Sequence, residues 1–481
     1  MNGKACSRFV RWLPCCVFLC LLTGCHLLPP GETVHRPRHH NDFRHPTNFE
    51  AIPAVANAME SGKPIPICLD TVLRLAQDQN GQVRLARMRL EDAETDQTWA
   101  NKHWMPDLSI GMGVWRHEGG IQDFQGNLVR SSYGSALGGL ELTGKYDWKE
   151  ILYRKVEAER RVWQQKGELS KLSSENLLDA ATTYIDLLAA RSGMAISNET
   201  EVKLKDLLEQ TKKLADVDTG LKVEVSRIET ELMAQNVLTV KLREAGKAAA
   251  AKVAYLLGLD PCCELVIADK QLVPIKLVDA KRPLQELVDQ ALANGPGVRE
   301  LEGLLHTVEA ARNTNYGWSH WLPSIELNVL EGGFGAGPGR QLDWANRFDL
   351  GVHMKWNLNE FATSKLKRRQ ADANIQQAHL SYHDLRSKLT LGVQEARDAT
   401  AGGHEQIQLA DRHYRHAEES YKLSDQRWKQ NIKGRSSSEV LLALRTLGGA
   451  RLEYLQALRD LDKAQIRLFV LVGATEPEAQ K

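Results

Sequence analysis

Hydrophobic and polar positions along this chain follow two different periods. From Tyr153 to Leu214, apolar residues recur on one helical face, as at Leu177, Ala181, Tyr184 and Leu188. The stretch is dominated by Ala, Leu, Glu, Lys, Gln and Arg and holds no proline, a composition that favours helix. It predicts a helix about 90 Å long at 1.5 Å per residue. Glu360 to Gln430 predicts a second, near ~105 Å, with Gly402-Gly403 as a candidate kink. Compact domains do not need such lengths. Antiparallel coiled coils do, because they bury a narrow stripe continuously. The run "GKAAAAKVA" from Gly246 adds small apolar residues suited to close helix packing.

The second period is two. Leu108, Ile110, Met112 and Val114 alternate with Ser109, Gly111 and Gly113; Leu140 and Leu142 with Glu141 and Thr143. Ile325, Leu327 and Val329 alternate with Ser324, Glu326 and Asn328. Phe348, Leu350, Val352, Met354 and Trp356 alternate with Asp349, Gly351, His353 and Lys355. Each run suggests a strand of about 8–10 residues, the length that crosses a bilayer when tilted. A soluble, half-buried sheet alternates in the same way. Two features favour lipid. Nothing else in the chain is written to cover the apolar face. Eight of the 11 Trp (Trp99, Trp104, Trp115, Trp148, Trp318, Trp321, Trp344 and Trp356) gather at the strand ends, where membrane-interface girdles lie. Glu141, Glu326, Asn328, Asp349, His353 and Lys355 are then the candidate lining of a wet barrel interior. Four strands cannot close, and open edges are not tolerated in lipid. Two copies would supply eight strands and three would supply twelve; the trimer is the smallest assembly that leaves a channel.

The chain also repeats itself. "HWMPDLSIGMGVW" (His103–Trp115) is answered by "HWLPSIELNVLEG" (His320–Gly332), 217 residues on. Leu69 to Pro106 and Leu284 to Pro323 each read as one helix. "KYDWKEIL" from Lys145 matches "KWNLNEFA" from Lys355. The halves close at "YLLGLDP" (Tyr255–Pro261) and "LFVLVGATEP" (Leu468–Pro477). The fold class expected is mainly α with transmembrane β, in a duplicated helix–strand–strand–helix–helix plan. The repeats span residues 67–261 and 284–475, joined by a linker over 262–283, with a tail over 476–481.

Charge and composition narrow the partners. There are 62 basic and 61 acidic side chains, a balance that argues against nucleic acid. Lys4, Arg8 and Arg11 precede a short apolar run, Leu13 to Leu22, which is too short to span. It ends in "LLTGC", which resembles the bacterial lipobox. That motif implies a signal peptide over 1–24 and lipidation (palmitate-type acyl chains) of Cys25. His26 rather than Asp after that Cys favours the outer membrane. Residues 25–66 carry no hydrophobic period and suggest a tether. Its four His and three Arg within Val34–Pro46 are read as solvated rather than metal-binding. Besides the signal and the anchor only Cys68, Cys262 and Cys263 remain, no zinc spacing and no disulfide framework. A bridge from Cys68 to one of the other two stays open.

Enzyme signals are weak. "GGFGAGPG" (Gly332–Gly339) lacks the Lys-Ser/Thr and following helix of a phosphate loop and is expected to be an extracellular loop. His413 and His416 lie three apart on a charged helix and are read as surface residues. No catalytic constellation, metal site or cofactor site stands out.

With these features in order, residues 67 to 475 resemble the TolC-type outer-membrane efflux family, in its lipoprotein branch. The resemblance rests on the duplicated plan, the "W-x-P" entry to the first strand of each half, and the "LLG" and "LVG" ends. It implies a homotrimer in outer-membrane lipid, with a twelve-stranded barrel continued by a periplasmic helical tunnel. It implies a periplasmic adaptor and an inner-membrane pump or ABC exporter as partners. It further implies that the hairpin turns, "DTGLKVEVSRIETEL" with Gly220 and "IKGRSSSEVLLAL" with Gly434, form the aperture. There Glu439 stands one residue before the usual place of an acid, and Ser226 replaces the acid in the first half. Arg227 and Arg435 are candidates to pair with tip carboxylates. The rival expectation is a periplasmic coiled-coil scaffold lipoprotein, which keeps the helices but does not need the strands.

Overall fold

The computed structural model describes residues 65–215, 221–269, 271–315, 322–338, 341–430 and 436–473. All lie in Ala58–Lys481, one of the two compact units into which the chain divides. Cys25, expected to be lipidated, the expected signal and nearly all of the expected tether, together with Gly220, Gly434, Arg435, Trp318 and Trp321, lie outside the described residues.

In chain order the first half contains β1 (Ile65–Ile67), α1 (Leu69–Asp78), α2 (Gly81–Lys102), β2 (Asp107–Gln122), β3 (Leu128–Tyr146), α3 (Trp148–Ala215) and α4 (Lys222–Leu256). The second contains β4 (Leu265–Ile267), α5 (Leu284–Asn294), α6 (Val298–Asn315), β5 (Ser324–Pro338), β6 (Asp343–Lys355), α7 (Leu358–Lys429) and α8 (Ser437–Val472). The long helices form as their composition predicts. α3 has 68 residues and α7 has 72, about 100 and 110 Å. α7 is continuous through Gly402-Gly403, and Gly403 packs directly on Leu461 of α8. Equivalent side chains begin both: Asp147 accepts from Lys149 N at 3.1 Å, and Asn357 from Asn359 N at 3.2 Å, each satisfying an orphan donor of the first turn.

The helix before each barrel hairpin is not continuous, contrary to the sequence expectation. Between α1 and α2, Asn80 caps α2 through Gln82 N at 2.7 Å and is drawn into a buried network. Its amide donates to Asn176 of α3 at 2.8 Å and to the Leu256 carbonyl at 3.2 Å. Between α5 and α6 the break is Gly295-Pro296-Gly297. Pro296 has no N–H to continue the ladder, and Gly297 sits at φ +81 with its N–H on Ser170 Oγ at 3.1 Å.

The two halves repeat this joint in atomic detail. α4 ends in a Schellman motif, with Gly258 N on the Tyr255 carbonyl at 3.0 Å and Leu259 N on that of Ala254 at 2.8 Å. Gly258 is at φ +69, and a Cβ there would collide with the Gln79 carbonyl at the α1–α2 break. Gly473, at φ +70, ends α8, and a Cβ there would collide with the Asn294 carbonyl at the α5–α6 break. Both pairs are related by 215 positions (258 to 473, 79 to 294). The "LLG" and "LVG" ends are therefore backbone-on-backbone contacts that admit only glycine.

β1 and β4 pair in parallel, Ile65 opposite Leu265 and Ile67 opposite Ile267. Order thus reaches into the last residues assigned to the tether and into the inter-repeat linker. Cys68 and Cys263 flank opposite ends of this pair, and Cys68, Cys262 and Cys263 are all free. The rest of the linker is strapped to α8. Gln465 Oε1 accepts from Leu277 N and Val278 N, each at 3.1 Å. Asp462, fully buried, accepts from Ile275 N at 2.8 Å, and its second oxygen has no partner among the described residues. Below the strap, α3, α4, α7 and α8 pack in layers. One holds Leu204, Leu232 and Leu444; another holds Leu207, Ile228, Trp428 and Val440. Gly193 against Leu242 and Gly246 against Ala190 bring α3 and α4 close.

Two outcomes follow. Burial pushes the Asp462 carboxyl up to about 7. Its folded value is raised above the unfolded one, so the folded chain binds the extra proton. Stability is then full below about pH 4 and falls as pH rises to 7, by about 4 kcal/mol. Asp462→Asn, which keeps the acceptor for Ile275, removes this slope in denaturant titrations from pH 5 to 8; an unchanged slope refutes it. In the same assay Gly258→Ala and Gly473→Ala each cost about 1–3 kcal/mol, whereas Gly402→Ala, with open space around it, gains up to about 1 kcal/mol.

Candidate functional site

Two regions carry the chemistry: the four-stranded sheet and the hairpin tips at the far end of the long helices. The sheet has the order β2-β3-β5-β6 and is antiparallel throughout. Its strands have 16, 19, 15 and 13 residues, longer than the alternation suggests. Pairing continues past the apolar band. Gly332 to Pro338, expected as a loop, is instead the second half of β5, opposite Gly139 to Tyr133 of β3. Gly139 faces Gly332, and a Cβ on either would strike the backbone of the other strand. Close approach of the strands is what these glycines provide. Rings cover others: Trp115 lies over Gly113 and Trp344 over Gly335, which restores lateral packing.

Cross-strand register sorts the side chains by face. Leu108, Leu142, Val329 and Leu350 form one row; Ile110, Leu140, Glu331 and Phe348 form the next. This face has no second layer: Ile110 is 82% exposed, Met112 78% and Leu350 63%. Among the described residues no helix is long and apolar enough to cross a membrane. On the opposite face, Ser109, Glu141, Leu330 and Asp349 share a row, then Asp107, Thr143, Asn328 and Gly351, then Lys145, Glu326 and His353, with Lys355 beside Ser324. The register thus brings Glu141, Glu326, Asn328, Asp349, His353 and Lys355 to one face. Charged residues outside the sequence pattern lie on both faces. Arg347 lies on the polar face, 2.7 Å from Asp349 and stacked over Phe334. Glu331 lies on the apolar face, with Asn346 Nδ2 3.5 Å from its carboxylate.

At the tips the hairpin α3/α4 is stitched to α7/α8. Ser436 caps α8 through Ser438 N. Glu224, at the start of α4, accepts from the hydroxyls of Ser436, at 3.2 Å, and Ser437. Trp428 is buried between Leu207, Ile228 and Val440 and donates its indole N–H to Gln210 at 2.9 Å. Of the residues singled out from sequence, Glu439 pairs with Arg427 at 2.9 Å. Ser226 is exposed; its carbonyl accepts from the Thr230 hydroxyl. Among the described residues Arg227 meets no carboxylate. It donates to the Ser438 hydroxyl at 3.4 Å, because the nearby acid, Glu224, is already taken by the serines. Among the described residues Glu224 is thus an acid of the first tip, and Trp428, bonded to Gln210, fills the apolar layer beside it; the sequence reading missed all three. His413 lies 2.9 Å from Glu453 of α8.

The fold is shared with outer-membrane channels of known structure. The outer-membrane channel OprN superposes with a TM-score of 0.70 at 18% identity, over 84% of this chain and 89% of that one. The CmeC outer membrane channel of Campylobacter jejuni gives 0.71 at 14% identity, over 86% and 87%. The MtrE outer membrane channel of Neisseria gonorrhoeae, in its open state, gives 0.66 at 16%, over 86% and 91%. Among curated proteins none matches this sequence. Residues 287–474, nearly the whole second repeat, match the family described as outer membrane efflux protein. The family match thus covers the second repeat, and the fold shared with these channels extends through the first.

Proposed function

We propose that the chain is the passive outer-membrane exit channel of a tripartite efflux or type I secretion system. Three copies, each giving four strands, close a twelve-stranded barrel in the outer membrane, and their helical hairpins form a tunnel into the periplasm. Cys25 carries the lipid anchor. A periplasmic adaptor docks at the tips, and an inner-membrane pump or ABC exporter supplies the energy. One observation carries this reading: a sheet with one bare apolar face and two open edges, joined to hairpins about 100 Å long. Lipid can cover that face, and only further copies can satisfy those edges.

Glu141, Glu326, Asn328, Asp349, His353 and Lys355 would line the barrel lumen. Their mixed signs, with Lys145 and Arg347 alongside, give little selection by charge. Glu439 and Arg227, with Ser226, Gly220, Gly434 and Arg435, belong to the periplasmic aperture, which Glu224 and its serines hold shut within each copy.

In planar bilayers the purified lipoprotein should give discrete conductance steps, and in detergent it should have the mass of three chains. A freely soluble monomer after removal of the acyl chains would sink the reading. Removing the stitch with Glu224→Ala and Ser437→Ala should raise open probability several-fold, about 1–2 kcal/mol of gating energy. Unchanged gating in a well-formed trimer would deny these residues that role.

A further inference from the structure

Across the level just beneath the sheet, α2 packs on α3, α3 on α6, and α6 on α7. The helices thus follow the strand order, and α2 and α7 each keep one uncovered flank. On α2 that flank carries Leu85, Met88 and Trp99, 46%, 55% and 72% exposed, with Glu91 and Asp92 among them. On α7 it carries Leu358, Leu366 and Leu380, 74%, 67% and 68% exposed, with Lys365 and Arg369. None of these four charged side chains has a partner among the described residues.

The duplication says what belongs there. Within one chain, α3 and α6 form a seam. The Trp163 ring lies on the backbone of Gly303, and the Thr307 hydroxyl donates to Glu159 at 3.3 Å. The glycine joints set the spacing between α2 and α6 at 215, so Gly303 corresponds to Met88 and Thr307 to Asp92. The capping residues Asp147 and Asn357 align α3 with α7. Glu159 lies 12 positions after the first cap and Arg369 12 after the second; Trp163 and Ala373 each lie 16 after. Carried over, Trp on Gly becomes Met on Ala. The large and small partners exchange helices and a tight fit is kept. The neutral hydrogen bond becomes a meeting of opposite charges, and an Arg side chain spans a helical turn, enough to reach both Glu91 and Asp92.

We infer that α7 of one copy packs against α2 of the next, with Ala373 under Met88 and Arg369 set between Glu91 and Asp92. At this level the contact is acidic on α2, at Glu91 and Asp92, and basic on α7, at Lys365 and Arg369, with Arg84 of α2 more than a turn away towards the helix start. It opposes pairing of like helices and favours the head-to-tail contact that closes a ring. This rests on the trimeric reading above, and its test separates the two.

The full lipidated chain is used, with Cys68, Cys262 and Cys263 replaced by Ser. Met88→Cys with Ala373→Cys should yield a covalent trimer on mild oxidation, while either change alone should not. Arg369→Asp should lower the trimer fraction in dilute detergent about tenfold at low salt. Adding Asp92→Arg to the same chain should restore it to within about twofold, which general destabilisation cannot do. A wild-type trimer that neither cross-links at this pair nor responds to the reversal overturns the seam and leaves the channel standing. A wild-type chain that is not trimeric overturns both.

Discussion

A β-strand in lipid cannot leave its amides unpaired, because no water is present to take them up. The four-stranded sheet of this chain has two edge strands, β2 and β6, and a face whose largest side chains are mostly bare. In water such a face would be a liability and the edges would invite aggregation. In lipid the face needs no cover, but the edges become intolerable. The same sheet is thus unstable alone in either solvent and stable only as part of a closed cylinder. The uncovered flanks of α2 and α7, which continue the two strand edges, fit the same requirement.

Duplication is how one chain of this length meets it. Each half makes a strand pair, a long hairpin and a joint. The joints are the most constrained points, since Gly258 and Gly473 each press backbone on backbone at positive φ. They differ in how the helix is broken. The first uses Asn80, held by Asn176; the second uses a Gly-Pro-Gly turn. A break defined by buried hydrogen bonds and one defined by local backbone preference reach the same geometry. The joint, rather than either sequence, is therefore the preserved physical object.

What was legible in the sequence follows from where each signal resides. The phase of every strand was readable, because a bare face demands strict alternation. The upper part of β5 was not. In Gly332 to Pro338 the structure is made by absent side chains, and a run of Gly and Ala carries no period. The break at Asn80 was invisible because Asn176, 96 residues away, decides it. Glu331 could not be assigned to the apolar face until the register was known. Glu224 was not legible because it stands two residues before Ser226, the place where the family resemblance puts an acid.

The distribution of buried polar contacts separates what holds from what moves. At the joint and strap, Asn80, Asn176, Asp462 and Gln465 are all at most 8% exposed, and loss of any partner there leaves an unsatisfied group at full cost. At the tips burial is mixed: Ser437, bonded to Glu224, is buried, but the ion pair is half-solvated. The Arg427–Glu439 pair is 47% and 38% exposed, worth at most about 1 kcal/mol. Among the described residues Trp428 and its neighbours form the apolar layer there. Local opening therefore starts at the tips and stops at the strap, since cooperative units part where burial is thinnest. In the proposed channel, an aperture at the tips that yields to an adaptor without unfolding the helices would use this gradient.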